Sequence, residues 1–287
     1  MGNALLRPFS AQAQEISAPG GTREGDRLIA EATERFAKHA SVRALIHTEV
    51  DVWGHRFTGK GRYLLTRREG DELSRLELEL ELRANAKSTQ GRTTKLLEVN
   101  DGRYLWRERT DGESREAERI DLARAGAAAT NREVANSWSV EPFALQGGLE
   151  TMLEALRKNF EFSKVAASRI DNVPVLRTIG HWRPECLAEI LSDDKITASN
   201  ASKKAPKHLP REVSVTLGRD DLFPYEVDFR AGDQGGAGER NELTETSIRY
   251  RFYEVVLGVE IDPRYYVYKP GDIIVEDVTD KFLKQRK

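Results

Sequence analysis

The chain has 287 residues, 39% of them hydrophobic and 32% charged, a length that allows one large β domain or two smaller ones. Its net charge of -2 argues against nonspecific nucleic-acid binding, and its single cysteine, Cys186, excludes an internal disulfide framework or a Cys-rich metal site. No run approaches the roughly 18 apolar residues that suggest a membrane span.

Residues 1–25 are rich in Gly, Ala, Pro and Ser and read as a loose, disordered N-terminal segment. Within it Ala11-Gln12-Ala13 has the form of a signal-cleavage site, although the stretch before it is short and contains Arg7 and Pro8. A remnant of an export signal and a plain tail are both open. From Asp26, a candidate N-cap, the residues Leu28, Ile29, Ala32 and Phe36 recur at helical spacing and predict a helix to about Ala40.

The period then changes to two. Ala44, Ile46, Val50 and Val52 share one face of a strand, and Trp53-Gly54-His55-Arg56 reads as a turn. Phe57, Gly59, Gly61, Tyr63 and Leu65 continue on a second strand, whose glycines suggest curvature or close approach. Next comes Arg75-Leu76-Glu77-Leu78-Glu79-Leu80-Glu81-Leu82, with leucines on every even position. In a strand all four leucines line one face, whereas in a helix they would scatter around the cylinder. One face of this strand needs cover. Lys95 to Val99 and Tyr104 to Arg109 form a further pair, joined through Asp101-Gly102, a favoured hairpin turn.

The middle is less regular. Asp121 to Ala129 reads as a short helix, and Leu149, Met152, Leu153, Leu156 and Phe160 mark an amphipathic helix that starts through Gly147-Gly148. Between them Trp138, Phe143 and Leu145 show no clean period. Strands resume at Phe162–Arg169 and Val173–Trp182. Residues 192–209 read as a surface loop and residues 231–241 as a Gly-rich one. Strands at 213–217 and 225–229, a long one from Ile248, and a last one that begins at Tyr265–Tyr268 complete the pattern. The count gives an α+β chain, mainly antiparallel β. About eleven strands should form a curved, incomplete, half-open β-barrel covered by a few helices. Residues 26–287 are expected to be one domain, with a helical lid insertion at about 121–160.

Several segments resemble the LolA family of periplasmic lipoprotein carriers. Val99-Asn100-Asp101-Gly102-Arg103-Tyr104-Leu105-Trp106 is similar to that family's V-x-D-G-x-x-L-W stretch. Gly61-Arg62-Tyr63-Leu64-Leu65-Thr66-Arg67 sits where the family has a strand ending in a basic residue, and Leu217-Gly218-Arg219-Asp220 fits a late strand pair. Tyr265-Tyr266-Val267-Tyr268-Lys269-Pro270-Gly271 resembles the closing F-x-F-x-P-P-x-G. The resemblance spans roughly residues 28 to 282. It implies an eleven-stranded incomplete barrel with a helical lid over an apolar cavity that takes acyl chains. By position, Arg67 corresponds to a family arginine that holds the closed lid by hydrogen bonds. The chain departs from the family in having Arg68 where a proline is usual, and in a longer stretch from about Asp111 to Lys207.

These readings define the expected site. Ile46, Val50, Tyr63, Leu76, Leu78, Leu80, Leu97 and Tyr250 would line the cavity, with Leu153 and Leu156 from the lid and Arg67 as its gate. Plain core is the competing meaning of each apolar position. His181 lies five residues before Cys186, a possible imidazole and thiol pair, but no orienting partner accompanies it. The histidines at 39, 47, 55, 181 and 208 include no pair with zinc-ligand spacing. Lys203, Lys204, Lys207 and His208 could touch anionic headgroups, though such loop charges are usually just solvated. Gly235-Gly236-Ala237-Gly238 lacks the lysine and helix of a phosphate loop. The expectation is a non-catalytic, monomeric periplasmic carrier. It would bind lipid or lipoprotein acyl chains, use no cofactor or metal, and hand over to a membrane receptor or transporter. A lipid sensor of the same fold and an enzyme using the same concavity are the alternatives.

Overall fold

A computed structural model describes residues 23–52, 55–68, 71–82, 93–125, 145, 147–170, 172–191, 195–206, 209–230 and 247–285. The expected signal-cleavage motif, the turn at residues 53–54, Trp138, Phe143, Lys207, His208 and the Gly-rich loop lie outside these residues.

Twelve strands form one sheet. They are β1 (Ser41–Val52), β2 (His55–Arg68), β3 (Asp71–Leu82), β4 (Thr93–Asn100), β5 (Tyr104–Asp111), β6 (Ser114–Asp121), β7 (Phe160–Ile170), β8 (Val173–Trp182), β9 (Glu212–Gly218), β10 (Pro224–Arg230), β11 (Ser247–Leu257) and β12 (Val275–Asp277). The order across the sheet is β12-β6-β5-β4-β3-β2-β1-β11-β10-β9-β8-β7. Every neighbouring pair is antiparallel except β12 beside β6. The two edges, β12 and β7, do not pair with each other, so the sheet is an open, incomplete barrel. Six α-helices accompany it among the described residues: α1 (Glu24–Lys38), α2 (Leu122–Ala125), α3 (Gly148–Asn159), α4 (Pro184–Leu191), α5 (Ala201–Lys204) and α6 (Thr279–Gln285).

The leucine alternation sets the layers. Tyr63 lies opposite Leu76, and Gly61 opposite Leu78, so these residues share the inner face. The helices α1 and α3 lie on that face. They insert Leu28, Ile29, Ala32 and Phe36, and Leu149, Met152, Leu153 and Leu156, into one core with Val42, Ala44, Ile46, Tyr63, Leu65, Leu76 and Leu78. A Cβ on Gly61 would stand 2.0 Å from the Glu77 carbonyl oxygen and 2.7 Å from Leu78 Cδ2. Glycine there lets β3 and the Leu78 side chain close on β2.

The outer face carries charge pairs such as Arg62–Glu77 at 2.6 Å and Lys95–Glu79 at 3.4 Å. The C-terminal segment straps across it. Ile261 and Tyr266 bury Leu64, and the Tyr266 hydroxyl meets Thr66 Oγ1 at 2.8 Å. The chain then adds β12, and Val278, which follows it, packs with Phe282 of α6 against Leu105 and Ile120.

Several expectations need correction. Residues 114–121 and 275–277 are strands that the pattern did not single out, and Pro263–Tyr266 is a 3-10 turn rather than part of a last strand. That turn forms because Asp262 accepts the Arg264 N–H and Pro263 presets the first helical position. The first helix begins at Glu24, so Asp26 is not its cap; its carboxylate instead accepts the Phe162 N–H of β7 at 2.9 Å. Of the expected lid insertion, α2 and α3 are described, and residues 126–144 and 146 are not.

Candidate functional site

Ile46, Tyr63, Leu76, Leu78, Leu153, Leu156 and Tyr250 are all buried in the core cluster shared with α1 and α3. Among the described residues these positions are covered by the helices themselves. Val50 and Leu80 are half-buried on the same inner face. Leu97 is not there. It lies opposite Glu77 and Glu108 on the outer face, and Leu96, opposite Leu78, takes the inner place. Two adjacent leucines carry no parity of their own, so only the register of β4 on β3 decides between them.

Arg67 ends the inner row of β2 and joins both helices to the sheet. Its Nη1 donates to the carbonyls of Phe36 (3.1 Å) and His39 (3.0 Å) at the C-terminus of α1. Its Nη2 donates to Glu150 in the first turn of α3, and its Nε to Glu72 of β3 at 3.0 Å. The guanidinium also lies 5.7 Å from the centre of the Phe36 ring. A rigid fork of five donors serves four acceptors on three elements at once, a geometry that a lysine cannot reproduce.

The start of α3 is completed by the sheet. Gly147 and Gly148 take φ of 79° and 81°, the left-handed region that favours glycine, and Gly147 supplies no side-chain cap. The first N–H groups of a helix need acceptors from elsewhere. Here Glu98 of β4 accepts the Gly147 N–H at 3.3 Å. A Cβ on Gly148 would stand 3.0 Å from the Tyr63 ring. Glu98 also receives Arg107 Nη2 at 3.2 Å and is itself 4% exposed. Sequence reasoning did not single out Glu98 or Glu150. The available signal was an acid two residues from Leu96, on the leucine side of a strand.

Burial pushes the Glu98 carboxyl above the usual carboxylate range, against the opposing pull of Arg107 and the Gly147 N–H. A carboxyl raised in this way gives stability that is complete below its unfolded-chain pKa. That stability is lost as pH rises through the folded value. A 13C NMR titration of Glu98 is expected to give a midpoint above that of a free glutamate. A midpoint below it would mean that the Arg107 pair outweighs burial.

Elsewhere, a cavity of about 250 Å³ lies between α4, α5 and the ends of β8 and β9, floored by Trp182, Leu187, Ala205 and Leu209. It is smaller than the ~300–1,000 Å³ of typical ligand pockets, and the Trp182 indole N–H is already given to the Pro210 carbonyl at 2.6 Å. The Cys186 thiol donates to the Lys158 carbonyl at 3.6 Å and His181 is exposed. Asp101 shapes its turn by accepting the Arg103 and Tyr104 N–H groups and fixes the Trp106 indole at 2.8 Å. Among the described residues no helix is long and apolar enough to cross a membrane.

No family model and no curated protein matches the chain. Solved structures similar to it include LprF from Mycobacterium bovis, at 9% identity over 83% of this chain and 94% of that one, with a TM-score of 0.39. A DUF1329 family protein from Desulfovibrio piger matches at 8% identity over 85% and 96%, with a TM-score of 0.32. A structure described as an outer membrane lipoprotein-sorting protein domain, from Vibrio parahaemolyticus, matches at 12% identity over 84% and 95%, also with a TM-score of 0.32. At such distances none of them assigns a role to any residue of this chain.

Proposed function

We propose that this protein is a non-catalytic periplasmic carrier. It takes one acyl chain of a lipid or lipoprotein between the leucine face and the helices α1 and α3. It works as a single copy and releases its cargo to a membrane receptor or transporter. The observation that carries the reading is Arg67, one buried-side cation bonded to both covering helices and to β3. An ordinary core does not need such a device, because apolar contact alone would hold the helices down. A cover that must open and reclose gains from a polar clamp that water can replace.

The energetics allow it. Burial is worth about 0.8 kcal/mol per methylene, so a chain of about sixteen carbons brings roughly 11 kcal/mol. Each charged hydrogen bond broken costs about 1.5–3 kcal/mol. Native mass spectrometry of gently purified protein, alone and with palmitoyl-lysophosphatidylcholine, tests the reading. A one-to-one lipid adduct is expected. Leu80→Glu is expected to weaken it at least tenfold with little change in melting temperature, because Leu80 is only half-buried. An apo mass that no acyl lipid shifts would leave the leucine face as plain core and end the carrier reading.

A further inference from the structure

The inner face of the sheet changes character between β3 and β6. Across β2, β3 and β4 one row runs Gly61, Leu78, Leu96, and the next runs Tyr63, Leu76, Glu98. Continued onto β5 and β6, the first row becomes Arg109 and Glu116, and the second becomes Arg107 and Glu118. Side chains directly opposite each other on antiparallel strands share a face. Two arginines of β5 therefore stand against two glutamates of β6 on the same concave side as the leucines. Exposure rises in the same direction: Leu78 is buried, Leu96 is half-buried, and Arg109 and Glu116 are exposed. The apolar face thus runs into a charged margin that meets solvent.

These charges differ from those on the other side of the same two strands. On the outer face, Glu108 receives Arg115 at 2.6 Å and the Tyr268 hydroxyl at 2.8 Å, and Arg119 reaches Asp277 at 3.1 Å. On the inner face, Arg107 donates to the buried Glu98 at 3.2 Å. Beyond that pair the pattern stops. Among the described residues, the side chains of Arg109, Glu116 and Glu118 make no hydrogen bond and no ion pair. Opposite charges face each other across β5 and β6 and do not close on one another.

We propose that this margin holds the headgroup of the carried lipid, and that the headgroup is a zwitterion, a phosphate joined to an ammonium. The inference rests on the carrier reading and adds to it the class of lipid. A guanidinium fork matches phosphate oxygens in both geometry and charge. Arg109 stands directly opposite Leu96, and Arg107 lies beside it, oriented by Glu98. An ammonium needs carboxylate acceptors, and Glu116 and Glu118 lie one strand farther on. Neighbouring strands are about 4.8 Å apart. Apolar, cationic and anionic stations therefore follow at the spacing of a few bonds, in the order acyl chain, phosphate, amine. A purely anionic head would meet the two glutamates, and a purely cationic one the two arginines. A head that carries both signs is matched throughout.

Palmitoyl-lysophosphatidylethanolamine, palmitoyl-lysophosphatidic acid and monopalmitoylglycerol share one acyl chain and differ in the head. Calorimetric titration of the full chain with each, below its micellar concentration, tests the site. The ethanolamine lipid is expected to bind about tenfold or more tighter than monopalmitoylglycerol, with the phosphatidic acid form between them. Arg109→Ala is expected to remove most of that gain and to leave monopalmitoylglycerol binding and the melting temperature unchanged, because Arg109 is exposed. Glu116→Gln with Glu118→Gln is expected to erase the preference for the ethanolamine lipid over the phosphatidic acid form. Equal affinity for the ethanolamine lipid and monopalmitoylglycerol, or equal weakening of both by Arg109→Ala, would overturn the headgroup site and leave the carrier standing. Lysophosphatidic acid binding as tightly as the ethanolamine lipid would overturn the zwitterion. Glycerophosphoethanolamine, the same head without the chain, is expected to bind about a hundredfold more weakly or not at all; equal binding would assign the margin to a free solute. Failure of all three acyl lipids to bind would end the carrier reading and this one with it.

Discussion

Arg67→Leu is expected to lower the thermal unfolding midpoint by roughly 5–10 °C and, at the same time, to tighten binding of an acyl lipid severalfold. The stability loss follows from the contacts. The guanidinium's bonds to Phe36, His39, Glu72 and Glu150 disappear, and two helix-terminal carbonyls and two carboxylates lose a charged donor. Charged hydrogen bonds contribute about 1.5–3 kcal/mol each, and partial hydration of the freed groups reduces the sum to about 2–4 kcal/mol. In a chain of this size each kcal/mol moves the midpoint by about 2–4 °C.

The affinity gain comes from the other side of the equilibrium. A closed cover reduces the apparent affinity by the fraction of open molecules, so weakening the clamp raises that fraction and the affinity together. Differential scanning fluorimetry and a lipid titration on the same sample measure both. Arg67→Lys, with its single point charge, should fall between. Loss of stability with unchanged or weaker lipid binding would make Arg67 a structural residue only.

Gly61→Ala is expected to be the most damaging single methyl that can be added to the sheet, costing about 3 kcal/mol or preventing folding. The new Cβ would stand 2.0 Å from the Glu77 carbonyl oxygen and 3.1 Å from its carbon. Backbone cannot swing aside as a side chain can. Gly61 pairs with Ile46 on one side and Leu78 on the other, so relief requires parting β2 from β3 at the centre of the inner face. Gly112→Ala is the control. Its φ of 60° is strained for alanine, but nothing lies within 4 Å of the added atom, and the cost should be only about 1 kcal/mol. Urea unfolding of both variants separates the two; equal losses would mean that the approach of β3 to Gly61 is not tight.

The sequence made the inner face of β3 legible because leucine and glutamate alternate without a break, so parity could be read from the residues themselves. Leu96 and Leu97 show where that fails: side by side, they leave the choice of face to a register set by the whole sheet. β6 was hidden for a related reason. Its inner positions include Glu116 and Glu118, and it is a strand because β5 pairs with its whole length rather than because it has an apolar side. Tyr265 to Tyr268 carries a strand-like pattern, but Pro263 and Asp262 start a turn that overrides it. Arg67 was singled out by family resemblance, whereas its partners, Glu72 and Glu150, are brought to it by tertiary packing and have no signature at that sequence separation. Glu98 was readable only as an acid on a face reserved for leucine.

The most direct measurement of the central claim is photo-crosslinking with a palmitic acid that carries a diazirine near its methyl end, followed by peptide mapping. The account predicts label on β3 around Leu76–Leu80 and on α3 around Leu149–Leu156, with more label in Arg67→Leu and less in Leu80→Glu. Label confined to the outer strap around Tyr265 and Val267, or none above background, would contradict an acyl site beneath the helices.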